Sequence, residues 1–359
     1  MIGGTANVDR AAVLDCREER AGVGAIVRAG TTHDVPAVGQ VRIERHEIRL
    51  KIELNNSVYI LLDSKDRNEG EYSRAMNARS DDIPYVELAD DTRLPALGLG
   101  TWTMGERASK APREVAALER GLDLGMTLID TAEMYGDGGA EEVVARAIAG
   151  RRDAAFVVSK VYPQNAGAKS MPAACERSLR RLGIDCIDLY LLHWRGRIPL
   201  AETVDAFERL RAAGKIRRWG VSNFDTADME KLYALPDGRR CATNQVLYNL
   251  GERGIEWRLL DWCRERRIPV MAYSPVAQGR LHTNRKLAAI ARQNNVTPVQ
   301  LALAWVLTRP QVIAIPQSSN LAHVDEIRAA AAVRLDDTVL AALDAAFPPP
   351  RQATALSVI

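Results

Sequence analysis

From Ile83 to the end of the chain, short aliphatic or β-branched runs alternate with amphipathic stretches of about a dozen residues, and this alternation limits the fold more than any other feature. Eight runs occur: LGLG at 97–100, MTLIDTA at 126–132, AAFVVSK at 154–160, CIDLYLLHW at 186–194, IRRWGVSN at 216–223, CATNQVLYN at 241–249, PVMAYSPV at 269–276 and QVIAIPQ at 311–317. Strands buried on both faces need such continuous apolar runs, and a helical crossover between them keeps successive strands parallel. The intervening segments, among them PREVAALERGLDLG, GAEEVVARAIAG and LAETVDAFERLRAAGK, repeat apolar residues every three or four positions. Glycines at 125, 150, 183 and 214 suit left-handed helix ends. Strand then helix, eight times over, predicts an α/β fold, the (β/α)8 TIM barrel, with a doubly wound open sheet as the competing architecture.

Two details favour the barrel. The segment Gly98-Leu99-Gly100-Thr101-Trp102-Thr103 places threonine where the third glycine of a dinucleotide fingerprint belongs, and a tryptophan where backbone must approach pyrophosphate. Ahead of the first run, YVELADDTRLPALG reads as two short strands about a polar turn at Asp90-Asp91, an N-terminal β-hairpin able to plug the barrel floor. Extra C-terminal helices are expected from TPVQLALAWVLTR and DDTVLAALDAAF, the latter stopped by three prolines from Pro348.

The sequence divides accordingly into an extension over 1–82, expected to be poorly ordered, a barrel over 83–347 and a tail over 348–359. Within the extension only VRIERHEIRLKIEL, Val41 to Leu54, alternates as a strand would, and Met76 stands just before the regular part as a candidate start. With 48 basic against 46 acidic residues the chain has no electrostatic footprint for nucleic acid, and no apolar run reaches membrane-spanning length. Five cysteines without CxxC spacing point away from a disulfide framework or a metal site, and the cytoplasm is the expected location.

In such a barrel the chemistry sits at the C-terminal ends of the strands. The second, third and fourth runs end in Asp130, Lys160 and His193, with Tyr135 in the loop after Asp130. A phenol is a poor acid at neutral pH, but an ammonium about 4 Å away favours the phenolate, so Lys160 is expected to lower the Tyr135 pKa. Asp130 would keep Lys160 charged, and a neutral His193 could donate to a carbonyl oxygen. Each has a plainer reading: a helix cap for Asp130, a turn for Tyr135-Gly136, a snorkelling surface chain for Lys160, a structural histidine for His193. Their placement on successive strand ends outweighs those readings. A strand-end lysine could also form a Schiff base, but a carboxylate-paired ammonium is a poor nucleophile.

These residues carry a resemblance to the aldo-keto reductases, NAD(P)H-dependent barrel enzymes that reduce aldehydes and ketones. The chain resembles that family from about Tyr85 to Pro350 through Gly98-Leu99-Gly100-Thr101-Trp102, Asp130-Thr131-Ala132-Glu133-Met134-Tyr135-Gly136, Val158-Ser159-Lys160, Leu191-Leu192-His193-Trp194, Gly220-Val221-Ser222-Asn223-Phe224, Asn244-Gln245 and Ala272-Tyr273-Ser274-Pro275. The resemblance implies a catalytic tetrad of Asp130, Tyr135, Lys160 and His193. It further implies nicotinamide contacts at Ser222, Asn223 and Gln245, a stacking aromatic at Tyr273, a pyrophosphate loop opened by Ser274, and substrate walls at Trp102 and Trp194. Ser222-Asn223 also reads as a cap for the next helix.

At the adenosine end the chain departs from the family pattern. Gln317 stands where NADPH-specific members place a lysine, His323 where they place an arginine, and Ile327 where they place an asparagine, while Ser318 and Glu326 are retained. NADPH is the cofactor the resemblance implies, with NADH the alternative. Short loops after the fourth and seventh runs and a brief tail suggest an open mouth, hence small aldehydes and α-dicarbonyls such as methylglyoxal, and the chain is similar to bacterial members with that activity. A small-molecule carbonyl substrate, no metal, no obligate protein partner and monomeric behaviour complete the expectation. The alternative to an enzyme is a barrel that binds nicotinamide as a redox sensor.

Overall fold

The computed structural model describes residues 83–359 and, ahead of them, the backbone of four short strands. The chain forms two compact units, residues 1–76 and 77–359. In the first, Asp15–Arg17 pairs antiparallel with Ile26–Arg28, and Ile48–Leu54 with Ser57–Asp63. The strand expected at Val41 to Leu54 is thus present in its second half. The rest of 1–82, on which the expectation of poor order falls, lies outside the described residues.

In the second unit the eight apolar runs become eight parallel strands: β1 (Leu99–Gly100), β2 (Leu128–Asp130), β3 (Phe156–Val161), β4 (Ile187–Leu192), β5 (Ile216–Ser222), β6 (Asn244–Leu247), β7 (Val270–Tyr273) and β8 (Val312–Ala314). Each pairs with its neighbours in chain order. The sheet's two ends meet through a parallel bridge between Leu97 and Ala314, reinforced by the Gly98 N–H on the Ala314 carbonyl at 2.8 Å and the Gly100 N–H on that of Pro316 at 2.8 Å. This strand order and bridge are those of a (β/α)8 barrel, not of an open doubly wound sheet.

Helices α1 (Ala111–Asp123), α2 (Gly139–Ala147), α3 (Ser170–Leu182), α4 (Leu200–Ala212), α5 (Thr226–Tyr233), α6 (Leu259–Glu265), α7 (Arg285–Gln293), α8 (Pro298–Leu307), α9 (Leu321–Ala329) and α10 (Asp337–Ala346) follow the strands. Helix α7 is not among the segments quoted from the sequence; it buries Leu287 and Ala291 and packs Ile290 against the core. Ser222-Asn223 does not cap α5: Asp225 does, accepting the Asp228 N–H at 2.8 Å.

Side chains alternate across each strand, and this decides what reaches the barrel interior. Leu128, Val158, Leu189, Leu191, Met271 and Ile313 form one inner cluster, while Val157, Val161, Tyr190 and Leu192 join the outer layer under the helices. Truncating one inner leucine to alanine costs about 2–5 kcal/mol, because a closed ring of strands cannot collapse into the void. The hairpin is present, Tyr85–Glu87 pairing with Arg93–Pro95, and its Val86, Leu88 and Leu94 belong to the same inner cluster. Two residues beyond Leu128 comes Asp130, and two beyond Val158 comes Lys160, so the period that buries the leucine and valine also turns the carboxylate and ammonium inward.

Candidate active site

Lys160 is fully buried, and its ammonium donates three hydrogen bonds: to Asp130 Oδ2 at 2.7 Å, to the Thr131 carbonyl at 2.9 Å and to the Tyr135 hydroxyl at 3.1 Å. Those are all the donors an ammonium has, so the snorkelling reading fails. The other Asp130 oxygen accepts the Gln245 amide N–H at 2.7 Å. Burial pushes the Asp130 carboxyl up, against Lys160 and Gln245. Burial by itself would depress Lys160, but the charge of Asp130 and then the Tyr135 oxygen outweigh it and hold the ammonium above its ordinary value. Both directions leave Lys160 as the fixed cation of the site, as its full set of short donor contacts requires.

The expectation that the ammonium makes Tyr135 acidic needs correction. The contact is there, but burial raises the phenol by more than Lys160 lowers it, and the nearby Asp130 charge adds to the rise. Desolvation of a phenolate in a closed pocket wins over one cation already shared with a carboxylate. Tyr135 is therefore held protonated, with Lys160 at its oxygen to stabilise the negative charge that proton loss creates.

His193 is buried at the end of β4, and its imidazole is pushed down to about 2 by burial and then by the charge of Lys160. The ring is neutral at any ordinary pH. Its Nδ1 is buried without a hydrogen-bond partner among the described residues. Its ring stands edge-on to Tyr135 at 5.7 Å and lies 4.8 Å from that of Trp194.

Tyr135 and Trp102 come from loops after β2 and β1 that touch through glycine. Gly105 has φ +73°, and a Cβ there would fall 2.1 Å from the Gly139 carbonyl carbon, so neither a side chain nor another conformation fits. The same Gly105 N–H is held by the buried Glu114 carboxylate at 2.9 Å.

A cleft of about 890 Å³ opens above these residues. Asp130, Tyr135, His193, Trp102 and Trp194 line one end; Ser222, Asn223, Gln245, Tyr273 and Ser274 the middle; Gln317, Ser318, His323 and Glu326 the other end. Of the residues singled out in the sequence, Lys160 is not in the lining and touches it through Asp130 and Tyr135. The middle is cross-braced: the Tyr273 hydroxyl donates to Asn223 Oδ1 at 2.9 Å, the Asn223 amide donates to the His193 carbonyl at 3.2 Å, and the Ser222 hydroxyl donates to the Gln245 carbonyl at 2.8 Å. Asn223 takes φ +60° to do so, a conformation asparagine tolerates better than most residues. After β7, Ala277, Gln278 and Gly279 are successively left-handed, and the turn closes on itself through the Ala277 N–H on the Ser274 carbonyl at 2.8 Å and the Gly279 N–H on that of Val276 at 3.0 Å.

Sequence reasoning missed several lining residues. Arg113 lies in an amphipathic helical segment and reads there as solvent-facing surface. Ile359 reads as tail yet also lines the cleft. Gln278 and His282 sit in the short loop after β7.

The aldo/keto reductase family model matches residues 96–347. The chain belongs to the aldo/keto reductase family. It is 54% identical over 279 residues to methylglyoxal reductase YeaE of Escherichia coli strain K12, covering 76% of this chain and 98% of that one. It is 35% identical over 234 residues to glyoxal reductase of Bacillus subtilis strain 168, covering 65% of this chain and 82% of that one. In structure it resembles an aldo-keto reductase from Klebsiella pneumoniae in complex with NADPH, with TM-score 0.76 and 53% identity, covering 77% of this chain and 99% of that one. The lining includes the carboxamide of Gln245 and the aromatic ring of Tyr273, groups of the kind such a dinucleotide requires.

Proposed function

We propose that the chain reduces small aldehydes and α-dicarbonyls such as methylglyoxal to alcohols with NADPH. The observation that carries this is the Lys160 ammonium at 3.1 Å from the Tyr135 hydroxyl and 2.7 Å from Asp130, at the floor of a cleft long enough for a dinucleotide. Bound there, NADPH supplies a hydride to the carbonyl carbon. Everything else falls to side chains. Tyr135 keeps its proton until the carbonyl oxygen becomes an alkoxide and then releases it there, the phenolate being stabilised by Lys160. Neutral His193 donates to the same oxygen and orients it. Trp102 and Trp194 wall the substrate end. Ser222, Asn223, Gln245 and Tyr273 hold the nicotinamide, Ser274 opens the pyrophosphate loop, and Gln317, Ser318, His323 and Glu326 face the adenosine.

The names of the two bacterial relatives above support dicarbonyl substrates. The tetrad and both ends of the cleft come from one chain, which supports a monomeric enzyme needing no partner subunit, and we place it in the cytoplasm. The hairpin is read as the plug of the barrel floor, and residues 1–82 as dispensable for catalysis. Among the described residues no helix is long and apolar enough to cross a membrane. The test is oxidation of NADPH, followed by loss of its absorbance, with methylglyoxal, glyoxal and simple aldehydes; tight dinucleotide binding without turnover on any of them would favour the redox-sensor alternative.

A further inference from the structure

Gln317 and His323 line the cleft at the two positions where the family resemblance implies cationic partners for a 2′-phosphate. Among the residues lining the cleft, one guanidinium is present: Arg113, brought from the first turn of α1 and separated from Ser319 by 206 positions along the chain. Its Nε donates to the Ser319 carbonyl at 2.7 Å and its Nη2 approaches the Ser319 hydroxyl at 3.2 Å. These two bonds anchor the side chain beside Ser318 and leave three of its five N–H donors for another acceptor.

The position is not explained by helix or interface stability. A cation in a first helical turn faces the positive end of the helix dipole, where it is disfavoured. The joint between α1 and α9 is already clamped two turns later, where Arg120 pairs with Asp325 at 2.7 Å. Arg113 has no carboxylate partner among the described residues, while its neighbour along the helix, Glu114, is engaged with Gly105. We infer that Arg113 recognises the ribose 2′-phosphate of NADPH, replacing the cations missing after β8 and setting the preference for NADPH over NADH. The inference rests on the dinucleotide reading given above.

The test is equilibrium binding of NADPH and NADH, each by quenching of tryptophan fluorescence, to wild type, Arg113→Gln and Arg113→Lys. A charge-assisted contact to phosphate of ordinary strength predicts that Arg113→Gln raises the Kd for NADPH about 10- to 100-fold and that for NADH less than about 2-fold. Arg113→Lys is expected to recover part of the NADPH affinity, and added salt to weaken NADPH binding more in wild type than in Arg113→Gln. Equal weakening for both dinucleotides would show that Arg113 only ties down the Ser319 loop and would overturn the inference, as would no change for either. A wild type that binds neither dinucleotide would instead overturn the cofactor reading and this inference with it.

Discussion

The Gln245 side-chain N–H donates to Asp130 Oδ1 at 2.7 Å, so one carboxylate is shared between a residue facing the cleft's middle and the Lys160 ammonium beneath Tyr135. The proposed dinucleotide subsite and the proposed proton-handling group are thus joined through one carboxylate. Substituting Gln245 by leucine removes a cleft-lining donor to the Asp130 carboxylate, and we expect it to weaken dinucleotide binding and lower turnover together. Fluorescence titration and initial rates on the same preparation check this; a change in one without the other would separate the two roles.

Tyr135→Phe removes the proposed proton donor and leaves one Lys160 N–H without its acceptor, while the ring stays packed beside His193. General acid catalysis contributes about 10²- to 10⁴-fold, so turnover is expected to fall by that order with the dinucleotide Kd nearly unchanged. Comparable loss of both would assign Tyr135 to binding.

Lys160→Met strands a buried carboxylate at Asp130, which keeps only the Gln245 donor. Breaking one side of a buried ion pair costs about 3–5 kcal/mol, so both activity and thermal stability should drop, and the double variant Lys160→Met with Asp130→Asn should recover much of the lost Tm while remaining inactive. Calorimetry on the two variants decides the matter.

His193 has its folded pKa depressed to about 2 from an ordinary 6.5. The unfolded chain therefore binds one more proton than the folded one between those values. The stability owed to the neutral ring is present above about pH 6.5 and is lost as pH falls, at about 1.4 kcal/mol per pH unit. Denaturant midpoints should decline less steeply below pH 6.5 in His193→Gln than in wild type. No step in the pH–rate profile near 6.5 is expected from His193 itself; an inflection there that vanishes in His193→Gln would contradict its neutral state.

A chain starting at Met76 retains the whole hairpin, barrel and cleft, and its kinetic constants are expected to match those of the full chain. A large loss of kcat in steady-state assays would give the extension a catalytic part.

Most of the architecture could be read in advance because it rests on local periodicity. A parallel strand buried on both faces must be apolar throughout, as in Ile187–Leu192, and a helix laid over it must repeat apolar residues at helical spacing, as in Ser170–Leu182. Strand ends could also be read, and with them Asp130, Lys160 and His193. The reading failed at the α5 cap, placed two residues early because several polar residues there are equally suited to capping.

What the sequence alone determined, then, is the order of elements and which polar side chains finish the strands, since both follow from neighbours within a few residues. Only the tertiary structure decided the energetics and the distant partners. The balance at Tyr135 tips toward a raised pKa because burial depends on everything packed around it, and Arg113 reaches Ser319 because closing the barrel brings α1 beside the segment after β8. Desolvation and ring closure are properties of the whole fold, and no local pattern encodes either.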